Sequence, residues 1–264
     1  MKLLTCHNGQ LHAAQSEFGA LGADANQRAF VTGFDALDAI VPHGAFAHGA
    51  VHELLAMPSH PSPFFVALFL ASCITGVSPV LGTQHGRDAR DTKTFQRAIV
   101  WCDPQGKLYP PAVAAMGVPL DRLFLLRPKT IADENWAIAE CLRCRGVSAT
   151  IASPRRLSRI EARRFQLAAE RGRGVGILLR PYDRTAHVYS AATRWLISPQ
   201  RGLRTVQRWR IELIHGHGGQ VGQAVILEHH RETNSIQVHP QVHSGHQTQQ
   251  LADRPIPQTA RATA

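Results

Sequence analysis

The stretch Ala50-Val51-His52-Glu53-Leu54-Leu55-Ala56-Met57-Pro58-Ser59-His60-Pro61-Ser62-Pro63-Phe64-Phe65-Val66-Ala67-Leu68 decides the fold. Alternation over 50–55 predicts a β-strand. Three prolines then break regular structure. From 64 to 73 the chain is almost wholly apolar, with Ala67, Leu68, Ala71 and Ser72 at helical spacing, which predicts a buried helix. Working outward, compact apolar runs at 98–102, 123–127, 147–152 and 175–180 read as further strands, separated by helices expected at 109–116, 135–145 and 158–171. Ser158 and Glu161 stand in capping-box spacing and mark the start of the last of these helices. Short apolar strands alternating with helices define an α/β protein with a mostly parallel sheet covered on both faces. Beyond Tyr182 the pattern changes, and 193–198, 207–214 and 224–228 read as antiparallel strands at the C-terminal side.

The flanks read differently. Residues 1–29 are mixed and polar and are expected to form a loosely ordered arm with room for one short helix. Residues 30–243 form the domain. From 244 to 264 the Gln-, Thr-, Pro- and Ala-rich tail is expected to be disordered. The glycine- and charge-rich segment 76–94 reads as an exposed loop. Of the 264 residues 44% are hydrophobic, enough for a real core, and no run approaches the roughly 18 apolar residues of a membrane span. No secretory signal is visible in residues 1–10, and five cysteines without framework spacing suit a reducing compartment, so a cytoplasmic location is expected. The net charge of +10 comes almost wholly from arginine, since the lysines are Lys2, Lys93, Lys107 and Lys129. Such a balance favours an acidic partner, nucleic acid or protein.

Thr32-Gly33-Phe34-Asp35-Ala36-Leu37-Asp38, then Pro42-His43-Gly44 and His48-Gly49-Ala50-Val51-His52-Glu53, resemble the entrance to the RecA core, where a strand leads into the phosphate-binding loop. Ile99-Val100-Trp101-Cys102-Asp103-Pro104, Leu108-Tyr109-Pro110-Pro111 and Met116-Gly117-Val118-Pro119-Leu120-Asp121-Arg122-Leu123 follow the same pattern. With 163–170, Arg194-Trp195 and Arg208-Trp209-Arg210, the chain from about 30 to 219 is similar to the ImuA family, RecA-like members of a bacterial mutagenesis cassette. The resemblance implies a RecA-like sheet and an accessory role in damage-induced (SOS), error-prone translesion synthesis. It further implies binding to ImuB, a polymerase-like protein. Through ImuB it implies contact with the error-prone replicative-type polymerase and the sliding clamp, with RecA and DNA as further partners at the nucleoid.

The residues themselves argue against ATP chemistry. A phosphate loop needs G-x-x-x-x-G-K-[ST]. In register stand Ala56 to Pro63: neither glycine is present, Pro61 precedes Ser62 at the lysine position, and Pro63 replaces the hydroxyl residue. Prolines 58, 61 and 63 delete three N–H donors, and Ser62 is expected to cap a helix that Pro63 opens. Where the RecA core has its catalytic glutamate, two residues beyond Asp103, stands Gln105, and the Mg²⁺-supporting aspartate after 147–152 is replaced by Ser153. The expectation is a protein that is not an enzyme and takes no cofactor or metal. Two alternatives stay open: a DNA-stimulated ATPase or recombinase of the RecA class, and a cell-division inhibitor of the SulA type.

Candidate contact residues are arginines. Arg156, Arg159 and Arg163, with Arg164 beside them, form one helical face if the helix reaches back to 156, and Arg208, Trp209 and Arg210 would add forked cations and an indole anchor. The plain alternative is a solvated helix whose apolar side, Ile160, Leu167 and Ala168, packs on the sheet, and a strand whose arginines face water. Cys141-Leu142-Arg143-Cys144 lacks a second pair of ligands, and the histidines between 215 and 246 are scattered, so neither is expected to bind metal. Asp35 and Asp38 are expected to cap and orient their turn.

Overall fold

The computed structural model describes residues 2–7, 10–12, 28–74, 97–116, 118–183 and 190–241. The loop expected at 76–94, the tail from 244 and most of the arm lie outside these residues. In chain order the strands are β1 (Lys2–His7), β2 (Gln10–His12), β3 (Ala29–Phe30), β4 (Phe46–Ala47), β5 (Ala50–Ala56), β6 (Ala98–Cys102), β7 (Leu123–Pro128), β8 (Val147–Ala152), β9 (Val175–Pro181), β10 (Thr193–Gln200), β11 (Val206–Gly216), β12 (Ala224–His230) and β13 (Ser235–Pro240). The helices are α1 (Asp35–Asp38), α2 (Phe64–Ile74), α3 (Pro110–Ala115), α4 (Ile131–Arg143) and α5 (Arg159–Gly172). Eleven strands form one mixed sheet in the order β13-β12-β11-β10-β5-β9-β8-β6-β7-β1-β2, and β3 pairs with β4 in a separate ribbon. From β10 through β1 every neighbouring pair is parallel, while the β11–β13 side is antiparallel.

The α/β class and the antiparallel C-terminal side match the sequence reading, while the helix expected at 135–145 runs instead from Ile131 to Arg143, capped by Thr130. β1 was expected in a loose arm, yet Lys2 to Cys6 run parallel to Phe124 to Pro128 and widen the sheet. β13, which the sequence reading did not include, pairs Ser235 to Pro240 with β12.

Each face of the sheet has its own core. α2 supplies Val66, Phe69 and Leu70 to one layer, against Leu54, Ile99, Ile151, Ile177, Trp195 and Leu213 of the strands. α4 and α5 supply Ile138, Leu142, Phe165 and Ala169 to the other, against Val51, Val100, Phe124 and Leu178. β6 and β8 are buried along their whole lengths, as strands covered on both faces must be. The α4–α5 contact is very close: a Cβ on Gly172 would come within 2.0 Å of the Leu142 carbonyl oxygen. Only glycine fits there.

A buried polar chain joins the parallel core to the antiparallel strands. Trp195 Nε1–H donates to Thr193 Oγ1 at 2.7 Å, and Thr193 Oγ1 lies 2.7 Å from His52 Nδ1. With Trp195 donating to Thr193, the hydroxyl is free to donate to an unprotonated Nδ1, and His52 Nε2–H donates to the Ala47 carbonyl at 3.1 Å. This satisfies every ring nitrogen in the neutral form. Burial pushes the His52 pKa from 6.5 down to about 4, reinforced by nearby His48 and opposed by the bond to Ala47. Between pH 6.5 and 4 the unfolded chain binds a proton that the folded chain refuses, so stability falls as the pH drops through that window. Urea unfolding at pH 7 and pH 5 should show this loss, with His52 contributing about 3 kcal/mol across the full window. His52→Gln is expected to be less stable at pH 7 but to lose part of the pH dependence, and an unchanged slope would contradict the assignment.

Candidate functional site

In open parallel sheets ligands meet the carboxyl ends of the strands, and the loop after β5, Gln105 after β6 and Ser153 after β8 lie at that edge here. After β5 the chain turns back on itself: His60 N–H donates to the Met57 carbonyl at 2.8 Å and Phe64 N–H to the Ser62 carbonyl at 2.8 Å. Pro58, Pro61 and Pro63 have no N–H, so a phosphate would find few donors. α2 starts one residue later than the sequence suggests. Pro63, not Ser62, sits at its cap, and the Pro63 carbonyl accepts from Ala67 N–H at 3.1 Å. Ser62 lies exposed just outside the helix, because the proline ring is buried against the core. The start of α2 is held by rings. Phe65 stacks on Trp209 with centroids 4.3 Å apart and planes at 7°, and Phe64 lies 5.7 Å from Trp101.

Asp103, at the end of β6, is buried and fully used. Its Oδ1 accepts from Lys107 N–H at 2.9 Å and its Oδ2 from Leu108 N–H at 3.0 Å, closing the turn on which Gln105 is exposed. Ser153 follows β8 and is half-buried. Beside it Glu134, entirely buried in the first turn of α4, takes Arg155 Nε–H at 2.8 Å, and its Oε1 has no partner among the described residues. The sequence reading overlooked this pair, and also Glu53, which accepts from Arg180 at 2.9 Å and Arg194 at 2.8 Å. A glutamate inside an apolar strand such as 50–56 was the signal, since a buried charge demands a partner.

The arginines are placed differently from the expected stripe. Ser158 caps α5, and its capping box with Glu161 is complete. Arg156 therefore precedes the helix and does not share a face with Arg159 and Arg163; its carbonyl instead accepts from Asn135 Nδ2 at 3.4 Å. Ala162, Phe165, Ala168 and Ala169 face inward, whereas Ile160 and Leu167, expected in the core, are 75% and 43% exposed. Arg163 donates to Gln166 at 2.6 Å, and Arg164 lines a cleft of about 470 Å³ with Arg143, Leu167 and Arg171. On β11, side-chain alternation separates Trp209 from its neighbours. The indole packs against the α2 layer, while Arg208 pairs with Glu228 at 2.7 Å and Arg210 with Glu212 on the opposite face. Arg194 and Trp195 are both buried, so neither Arg-Trp pair presents an indole beside a free cation. Asp38 orients its turn as expected, accepting from Thr32 N–H at 2.9 Å, Thr32 Oγ1–H at 2.8 Å and Gly33 N–H at 3.1 Å. Cys141 is buried at the end of α4 and Cys144 half-buried just beyond it, and neither is in a disulfide among the described residues. Among the described residues no helix is long and apolar enough to cross a membrane.

These features define an α/β protein with a mixed, largely parallel sheet, in which a proline-rich loop joins β5 to α2. Over 166 aligned positions the chain is 31% identical to Protein ImuA of Caulobacter vibrioides strain NA1000 / CB15N, covering 56% of this chain and 67% of the relative. The same figures hold for Protein ImuA of strain ATCC 19089 / CIP 103742 / CB 15. No family model matches the chain. The chain belongs to the ImuA family.

The stack on Phe65 packs Trp209, half-buried, against the core. Trp209→Ala is expected to lower the unfolding free energy by about 3 kcal/mol. Arg210→Ala should cost less than about 1 kcal/mol, because its ion pair is partly solvated. Equilibrium denaturation of the two variants compares them, and equal losses would contradict the geometry.

Proposed function

We propose that this chain is a non-catalytic, RecA-like accessory protein of damage-induced, error-prone translesion synthesis, which acts by binding other proteins. Its first partner is ImuB, and through ImuB it meets the error-prone polymerase. The observation that carries this reading is the loop between β5 and α2, where prolines lack the N–H donors of a phosphate loop and the His60 N–H is taken by the Met57 carbonyl. Gln105, after β6, and Ser153, after β8, stand at the same edge of the sheet as that loop, and neither supplies the carboxylate that a RecA core uses for its chemistry. Phosphoryl transfer depends on positioned charge and metal, so binding is the remaining output. Membership of the ImuA family supports the mutagenesis context.

Without a nucleotide to shift populations between two states, partner binding should be insensitive to ATP. Tagged protein recovered from damage-treated cells should bring down ImuB and polymerase components equally with and without ATP and Mg²⁺. Titration of ATP into purified protein should give no saturable heat. Restoring the motif with Pro61→Gly, Ser62→Lys and Pro63→Thr should leave hydrolysis absent, because Gln105 and Ser153 remain. ATP turnover by the wild type, or partner capture that requires ATP, would overturn the reading.

A further inference from the structure

We propose that the outer face of α5 and the groove it forms with α4 are a docking seat for an acidic, amphipathic helical segment of a partner protein. The inference rests on the reading of the chain as a binding protein and supplies the surface. Ile160, Arg164, Leu167 and Arg171 follow one another at i, i+4, i+7 and i+11, so they form one stripe along the helix. Two large apolar side chains alternate on it with two cations. From Ile160 to Arg171 the stripe runs about 17 Å along α5, the length of a short partner helix. At one end the cleft beside Arg143, Arg164 and Leu167 offers about 470 Å³, and at the other a second opening of about 720 Å³ lies between Ile131 and Leu157.

Charge selects the occupant. Arg143, Arg159, Arg163, Arg164 and Arg171 surround the stripe, and among the described residues only Arg143 is in an ion pair, with Glu140. Two carboxylates lie nearby: Glu161 accepts from Ser158 N–H and Asn135 and also feels the Arg164 charge, and Glu170, at the cleft, accepts from Gln166 at 3.0 Å, which leaves the cations of the stripe in excess. A second copy of this chain would set arginine against arginine and is disfavoured. A nucleic-acid backbone would satisfy the cations but leave Ile160, 75% exposed, without an apolar partner. A helix with leucines a heptad apart and glutamates beside them meets both demands, covering the apolar pair while its carboxylates accept from the arginines. The seat is also rigid, because the close contact at Gly172 locks α5 onto α4.

The probe is a fluorescein-labelled peptide of about 14 residues, with leucines at i, i+3 and i+7 and glutamates elsewhere, long enough to span the seat. Its comparators are a scrambled peptide of identical composition and a duplex DNA of similar length, all followed by anisotropy. The patterned peptide should bind about tenfold more tightly than the scrambled one. Ile160→Ser with Leu167→Ser should erase that preference, and Arg164→Glu with Arg171→Glu should abolish binding of both peptides. Arg201→Glu with Arg204→Glu, a charge change of equal size on exposed positions elsewhere, should leave the preference intact. All these positions are exposed, and thermal unfolding verifies that each variant folds. Equal affinity for the two peptides, or a preference for DNA, would overturn the seat. Recovery of ImuB from damaged cells separates this inference from the function it serves. Undiminished capture by the α5 variants overturns the seat as the recruitment surface while recruitment stands. Peptide binding by a wild type that captures no partner supports the seat and overturns recruitment.

Discussion

Glu53 lies in the middle of β5, itself in the middle of the sheet, and is almost completely removed from water. An unpaired carboxylate there would cost several kcal/mol, so the strand on each side must bring an arginine to it. Arg194 of β10 stands directly opposite in the parallel register, and Arg180 of β9 reaches it from the other side. Sliding either neighbour by one residue would turn its arginine to the other face and strand the charge. On that other face His52 does the same through Thr193 and Trp195. Two adjacent residues thus tie β5 to its neighbours from both sides of the sheet, and the antiparallel strands grow outward from β10 in a register already set.

This arrangement explains how the entrance of α2 stays ordered around a loop poor in phosphate-binding donors. A phosphate loop is shaped partly by its ligand. Here the turn after β5 closes on its own carbonyls, and the first turn of α2 is clamped by Phe64 on Trp101 and by Phe65 on Trp209. Trp209 comes from β11, so the C-terminal strands reach across to the start of α2. The two halves of the sheet share one apolar layer, which leaves little room for an opening motion at that edge.

The opposite layer ends abruptly. α4 and α5 cover the parallel strands, but none of the buried core on their side comes from β10 to β13. The second face of β11 is therefore left to ion pairs such as Arg208–Glu228 and Arg210–Glu212. These arginines are spent on the sheet's own carboxylates, whereas those of α5 are not. α5 therefore carries a positive surface of its own.

From the sequence alone came the α/β class, the order of β5 to β12, the start of α5 and the proline-filled loop. Those are local matters: buried strands read as short apolar runs, Ser158 and Glu161 cap within one turn, and a proline lacks its N–H in any fold. β1 escaped notice because its place depends on pairing residues 2–6 with 124–128, a contact no local pattern announces. The side of α5 that faces inward was also a tertiary decision. Ile160 and Leu167 have core chemistry, but α5 meets α4 and the sheet along Ala162, Phe165, Ala168, Ala169 and Gly172, and at Gly172 only a residue without a Cβ fits. Packing along that face turned Ile160 and Leu167 out into solvent. Likewise the tryptophans and arginines of β10 and β11, adjacent in sequence, were parted by the pleat, which sends neighbouring side chains to opposite faces and left the indoles in the core.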